Sequence, residues 1–248
     1  MGRREGASFA TVSRSASSLE RKAVPDIPDI YNELAAAYDA TESEMISERP
    51  VDLGHIFSFA KMVGRSPELV GDVGCGTGHV TSMLSQLGLS MHGVDASPEM
   101  VFRARANFPS VPFEVGRLEH LPIETGGWGG AAVLHVTWHS DAPARAAGLR
   151  ELARAIRPGG ALLFGWLESA PRRARGSTIQ LRHWMGHDVA LELHLVPMKL
   201  TVQELIAAGF DVLSATLREP ILPQEFAARR GLILARRAGS PYAAGTYP

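Results

Sequence analysis

The chain of 248 residues contains one cysteine, Cys75, which excludes an intramolecular disulfide framework and any zinc site built from several cysteines. Neither sign of charge predominates: 25 Lys and Arg stand against 26 Asp and Glu, a formal net charge of -1. That balance offers no chain-wide attraction to a phosphate backbone or an anionic lipid surface, so neither nucleic acid nor membrane is an expected partner. No apolar run approaches the ~20 residues that a membrane-spanning helix needs. Residues 1–25 lack the apolar stretch of a secretory signal; rich in Ser and Arg, they read as a disordered tail, as do residues 239–248. These absences together fit a cytoplasmic location.

What is present is a rhythm of short apolar runs and helical periods. Ile30, Leu34, Ala37 and Tyr38 share a helical face, and Leu53, Ile56, Phe57 and Ala60 define a second helix that ends before Ser66-Pro67. Residues 26–66 therefore read as a helical lid ahead of a main domain at 67–238. Strands are expected at Leu69–Val73, Ser90–Val94, Val111–Val115, Ala131–Val136, Ala161–Trp166, Asp211–Leu217 and Gly231–Ala235. Helices are expected at Val80–Leu87, Pro98–Asn107, Ala142–Ile156 and Thr201–Ala208, with Pro158-Gly159-Gly160 stopping the third. The expected fold is α/β, a doubly wound, Rossmann-like, seven-stranded sheet, mostly parallel, closed by an antiparallel C-terminal pair. Residues 167–200 break the rhythm after the fifth strand and read as a cap over the carboxyl ends of the strands, where open α/β sheets bind ligands.

The most informative stretch is Asp72-Val73-Gly74-Cys75-Gly76-Thr77-Gly78-His79-Val80, a strand running through a glycine-rich turn into a helix. Glycine lets such a turn approach a ligand closely, and the helix start presents free amides. The dinucleotide spacing G-x-G-x-x-G fails, because His79 or Thr81 stands where its third glycine belongs. The Gly-Lys-Ser/Thr of a phosphate loop is missing as well. The second strand ends in Asp95, an acid about 20 residues on that can accept from both hydroxyls of a ribose. Ala96-Ser97-Pro98-Glu99-Met100 follows, with Ser97 as helix cap and Pro98 at the first helical position. Taken alone, Asp95 also reads as a cap carboxylate and Met100 as core filler.

The runs D-V-G-C-G-T-G-H-V and V-D-A-S-P-E-M-V, with the Arg157–Gly160 turn before a strand, resemble the class I S-adenosylmethionine-dependent methyltransferases. The likeness covers about residues 30–237 and is nearest to actinobacterial enzymes of small-molecule and natural-product metabolism. It implies S-adenosyl-L-methionine as cofactor, with S-adenosyl-L-homocysteine as product. Gly74, Gly76 and Gly78 would then line the methionine part, with Cys75 placed there for its small size. Asp72 would face the ammonium, Asp95 the ribose, Ala96 and Met100 the adenosine side, and Arg117 or Leu118 the adenine edge. Many members carry an acid or serine where Arg117-Leu118 stands, so a backbone contact is the one expected there. Tyr38 is a lid candidate, and His135 is expected to pack beneath the cofactor.

Acceptor chemistry is expected in the loop after the fourth strand and in the cap. His139 is the candidate general base, since a neutral imidazole can take a proton near pH 7. Tyr31, Trp138, Trp166, His183, Trp184 and His187 are the candidate substrate contacts. His183 and His187 have a metal-like spacing, with Asp188 or His194 as a further ligand, but methyl transfer needs no metal and none is expected. The Arg172, Arg173 and Arg175 cluster reads as a solvated loop. The expected activity is methyl transfer to an O, N or C centre of a small, aromatic or heterocyclic acceptor. A nicotinamide-dependent oxidoreductase on a similar sheet and a non-catalytic cofactor-binding protein are the alternatives.

Overall fold

The computed structural model describes residues 26–64, 67–174, 176–222 and 225–239, with the side chains of 42–47 excepted. The expected tail at 1–25, nearly all of the one at 239–248, Ser66 and Arg175 lie outside them. Two helices, α1 (Ile27–Ser47) and α2 (Pro50–Val63), precede the first strand. Then follow β1 (Leu69–Val73), α3 (His79–Gln86), β2 (Ser90–Asp95), α4 (Pro98–Asn107), β3 (Phe113–Val115) and β4 (Trp128–Leu134). A 3-10 turn at Thr137–His139 leads into α5 (Ala142–Ala155) and β5 (Ile156–Ser169). The chain ends with β6 (Thr178–Trp184), β7 (His187–His194), α6 (Met198–Ala207), β8 (Phe210–Arg218) and β9 (Arg229–Arg237).

Seven strands form one sheet in the order β3-β2-β1-β4-β5-β9-β8. The pairs β1–β2, β1–β4, β2–β3 and β4–β5 are parallel, whereas β9 runs antiparallel to both β5 and β8. This is the Rossmann-like sheet expected from the sequence. Its central strands are apolar on both faces because helices cover both. Ala131, Val133, Leu162 and Phe164 pack with Leu149 and Leu152 of α5 on one side. Val70, Ala132 and Leu163 pack with Ile56 and Phe59 of α2 and Leu84 of α3 on the other.

Four expectations need correction. Strand five is longer than Ala161–Trp166, and Pro158-Gly159-Gly160 lies inside it, at a shift in register between Trp128 and Gly130 of β4. The helix before it ends at Ala155, so the Pro-Gly-Gly turn is not its stop. The aperiodic cap is a two-stranded hairpin, β6–β7, in which Trp184 pairs with His187 across Met185 and Gly186. Both turn residues have positive φ, 50° and 80°, the geometry of a tight hairpin turn.

Trp166 was expected to face substrate, and it is instead core. Its ring is 2% exposed, stacks with Phe164 at 6.4 Å, and its indole donates to the carbonyl of Val196 at 2.8 Å. Gly231 on the neighbouring β9 makes room for it, since a Cβ there would stand 2.2 Å from the ring.

Helix α2 is fastened to the antiparallel edge by buried charges. Arg218 donates to both oxygens of Asp52 at 2.5 and 2.6 Å and to both of Glu225 at 2.7 and 2.8 Å. Burial pushes the Glu225 carboxyl up, but its bonds from Arg218 and the Ile221 amide hold it down at about 2. Removing one partner of such a network strands the others without counter-charge. Arg218→Ala should therefore lower folding stability by about 3–5 kcal/mol in urea unfolding; a loss under about 1 kcal/mol would mean the cluster is solvated.

Candidate active site

The carboxyl ends of β1, β2 and β4 open into a cleft where the strand order reverses, the usual ligand site of an open α/β sheet. Two chambers occupy it, about 350 and 220 Å³ in volume. Tyr38, Gly74, Gly76, Leu134, His135 and Trp138 line both, so the chambers meet at the glycine turn. Asp95, Ala96, Met100, Arg117, Leu118, Tyr31 and His139 belong to the smaller one. Asp72, Cys75, Thr77 and Trp184 belong to the larger.

The turn after β1 is built for close approach. Gly74 has φ +70°, and a Cβ there would lie 2.2 Å from Val136. Gly74 and Cys75 both donate their amides to the carbonyl of Val94, which ties the turn to β2. Asp95 completes the tie, accepting from the Gly76 amide and from the Ser97 amide, each at 2.9 Å. Burial pushes its carboxyl above the ordinary range. Ser97 caps α4 as expected, accepting from the Met100 amide at 3.1 Å. Gly78, expected beside the cofactor, lines neither chamber; it caps α3 at φ +91° and packs on Phe108 and Phe113.

Asp72 is 2% exposed and accepts from the Thr81 hydroxyl at 2.6 Å. Burial raises its carboxyl to about 7, with Asp95 adding to the rise and Thr81 opposing it. A ligand ammonium in the larger chamber would reverse that rise by supplying the missing opposite charge. Burial likewise pushes the Cys75 thiol well up, which leaves it inert.

Helix α1 and the β6–β7 hairpin form the roof. Tyr31, Tyr38 and Trp184 meet edge to face, with centroids 5.9 to 6.4 Å apart. Asn32 of α1 accepts from the Ser97 hydroxyl at 2.6 Å and the Glu99 amide at 3.1 Å, so the roof is latched to the Asp95 loop. Arg117 pairs with Asp26 at the start of α1. The hairpin's far end carries His183 and His187, both exposed; His183 contacts Asp188 at 3.2 Å, and neither histidine lines a chamber. Among the described residues no group of three or more His, Cys, Asp and Glu could hold a metal ion.

His139 sits under this roof with both ring nitrogens engaged. Nε2 lies 2.8 Å from the Tyr31 hydroxyl, and Nδ1 lies 3.2 Å from the carbonyl of Glu192. The carbonyl can only accept, so Nδ1 carries the proton and Tyr31 donates to Nε2. Burial brings the imidazole down to about 4, against the Glu192 contact, so it is neutral at pH 7. His135 has φ +62°, a strained backbone for a residue with a Cβ. Its ring stacks on Trp138 at 5.2 Å, and its Nδ1 is buried with no hydrogen-bond partner.

Sequence reasoning missed Asn32, Thr81, Arg49, Asp52, Arg218, Glu225 and Arg230. Thr81 alone had a local signal, one turn into the helix after the glycine loop.

The sheet is that of the Rossmann-like methyltransferase fold. Residues 70–160 match a family model described as a methyltransferase domain. An uncharacterized methyltransferase of Mycobacterium tuberculosis is 38% identical over 95 residues, 38% of this chain and 38% of that protein. The chain thus spans under half the length of the first curated relatives it matches. A Methanosarcina mazei S-adenosylmethionine-dependent methyltransferase superposes with TM-score 0.63 at 17% identity, covering 69% of this chain and 92% of that one. The [4+2]-cyclase SpnF superposes with TM-score 0.68 at 16% identity, covering 88% and 98%.

The Asp72 carboxyl binds its proton more tightly in the fold, at about 7, than at its ordinary value of 3.8. The stability it contributes is full below that ordinary value and lost as pH rises through about 7. Asp72→Asn should therefore gain in unfolding midpoint relative to the ligand-free wild type between pH 5 and pH 8. A difference flat with pH would contradict the buried, uncompensated carboxyl.

Proposed function

We propose that this protein is an S-adenosylmethionine-dependent methyltransferase acting on a small molecule. The observation that carries the reading is the pair of chambers meeting at Gly74 and Gly76, with Asp72 facing the larger and Asp95 the smaller. The residues fit the cofactor. Asp95 stands in the smaller chamber for a ribose, and the apolar Met100 and Leu118, both under 7% exposed, line the same chamber as walls for adenine. Asp72 in the larger chamber supplies the one charge that an ammonium group lacks. When bound, the cofactor supplies an electrophilic methyl group on a sulfonium.

The rest falls to the chain's own groups: to hold the acceptor in line, to exclude water and to remove a proton. Trp138 and Tyr38 wall the space where the chambers join, with Trp184 against Tyr38 on the larger side, and the three suit a flat, aromatic or heterocyclic acceptor. The roof of α1 and the hairpin keeps water out, the role of a lid and cap. For an O–H or N–H acceptor, the proton passes to the Tyr31 oxygen as the Tyr31 proton passes to His139 Nε2. His139 is then the base at one remove, with Tyr31 as the group that meets the acceptor. A place in small-molecule metabolism of the natural-product kind and a cytoplasmic site are part of the same reading; the single cysteine fits the second.

One observation favours a second reading. A [4+2]-cyclase shares the fold, so this fold can serve chemistry other than methyl transfer. The nicotinamide reading has no such support.

Thermal unfolding with S-adenosylmethionine, S-adenosylhomocysteine and NADH in parallel tests the proposal. A ligand at 100 times its dissociation constant stabilises the fold by about 2.7 kcal/mol, a clear rise in midpoint. The two adenosyl ligands should produce it, NADH should not, and Asp95→Ala should abolish it. A rise with NADH alone would sink the assignment.

A further inference from the structure

We propose that the larger chamber holds the carboxylate of the methyl acceptor, seated on Arg230. This rests on the methyltransferase reading above and adds to it the chemical class of the acceptor. The chamber wall away from the glycine turn includes Arg49, Asp52, Glu225 and Arg230. Both carboxylates there are already committed. Arg218 donates to all four of their oxygens, and the Ile221 amide adds a bond to Glu225 at 2.8 Å.

Arg230 is left with a partial share. It is 5% exposed, its Nε lies 3.4 Å from Glu225, and its Nη1 donates to the carbonyls of Phe226 and Ala228 at 3.1 and 2.8 Å. Nη2 has no protein partner among the described residues. Burial, with Arg218 and Arg49 adding to it and Glu225 opposing it, lowers Arg230 to about 10, so it remains a cation at neutral pH. The His135 imidazole on the same chamber feels this field: after burial, the charges of Arg230, Arg49 and Arg218 depress it.

A second observation is independent of charge. The indole N–H of Trp138 and Nδ1 of His135 are buried without hydrogen-bond partners, and both residues line this chamber. A buried donor left unpaired is unfavourable, and a ligand offering acceptor atoms recovers that cost. One guanidinium N–H and one indole N–H suit the two oxygens of a carboxylate, with one charge to neutralise. The aromatic faces of Trp138, Trp184 and Phe226 are left for the body of the molecule.

The donor carries a carboxylate too, but its methionine end belongs at the glycine turn after β1. Arg230 is on β9, three strands along in the order β1-β4-β5-β9, or about 14 Å at the usual spacing. That distance assigns the site to the acceptor.

The test uses the full chain saturated with S-adenosylhomocysteine and follows tryptophan fluorescence during titration with benzoate and with neutral benzamide. Benzoate should bind saturably and benzamide at least about tenfold more weakly, the loss expected for a charge-assisted hydrogen bond. Arg230→Met should weaken benzoate by at least about tenfold while leaving S-adenosylhomocysteine affinity within about threefold. Trp138→Phe, which keeps a ring and loses the N–H, should weaken benzoate about fivefold, and serves if the arginine variant fails to fold. Equal binding of benzoate and benzamide would overturn the proposal, as would benzoate binding unchanged in both variants. Loss of S-adenosylhomocysteine but not of 5′-methylthioadenosine in Arg230→Met would give the carboxylate site to the donor and overturn it as well. Failure of wild type to bind S-adenosylhomocysteine is a separate result; it would sink the methyltransferase reading and this inference with it.

Discussion

The carboxylate of Asp95 accepts from the amides of Gly76 and Ser97, and the cleft depends on that double contact. It fixes the glycine turn after β1 against the loop after β2, at the point where the strand order reverses. From there the connections spread outward. Ser97 caps α4 and donates to Asn32, which brings α1 down over the opening. Tyr31 and Tyr38 of the same helix meet Trp184 of the hairpin, so roof and floor share one chain of contacts. Keeping a carboxylate this far from water is unfavourable, as its raised pKa shows, and the two amides offset part of that cost.

Two kinds of buried charge serve different ends. The cluster around Arg218 is closed upon itself, with every oxygen of Asp52 and Glu225 bonded, and it fastens α2 to the antiparallel edge. Asp72 and Arg230 are only partly compensated, and both face the larger chamber. A fold accepts such groups where a ligand completes them, which is why perturbed titration and function coincide so often.

Much of this was legible in the residues. The β1–turn–α3 unit and Asp95 follow from local spacing, and the alternation of apolar runs implied the sheet and its reversed final strand. Other features had no local signal. The Met185-Gly186 turn lacks the Asn-Gly or Asp-Gly dipeptide that marks a hairpin, so the cap read as irregular. Trp166 sits at a strand end like an acceptor contact, but its surroundings depend on Gly231, which lies 65 positions further on in numbering and beside it only in space. Asp52 and Arg218 are separated by 166 positions, and no periodicity joins them. His139 was identified by position, yet its engagement by Tyr31 required the packing of α1.

Hydrogen–deuterium exchange with and without S-adenosylhomocysteine tests the central claim, that one adenosyl ligand bridges the glycine turn and the Asp95 loop beneath α1. Protection should appear together in three places: Gly74–His79, Asp95–Met100 and the roof around Tyr31 to Tyr38. Protection of β8 and β9 alone, or none in the glycine turn, would contradict the account.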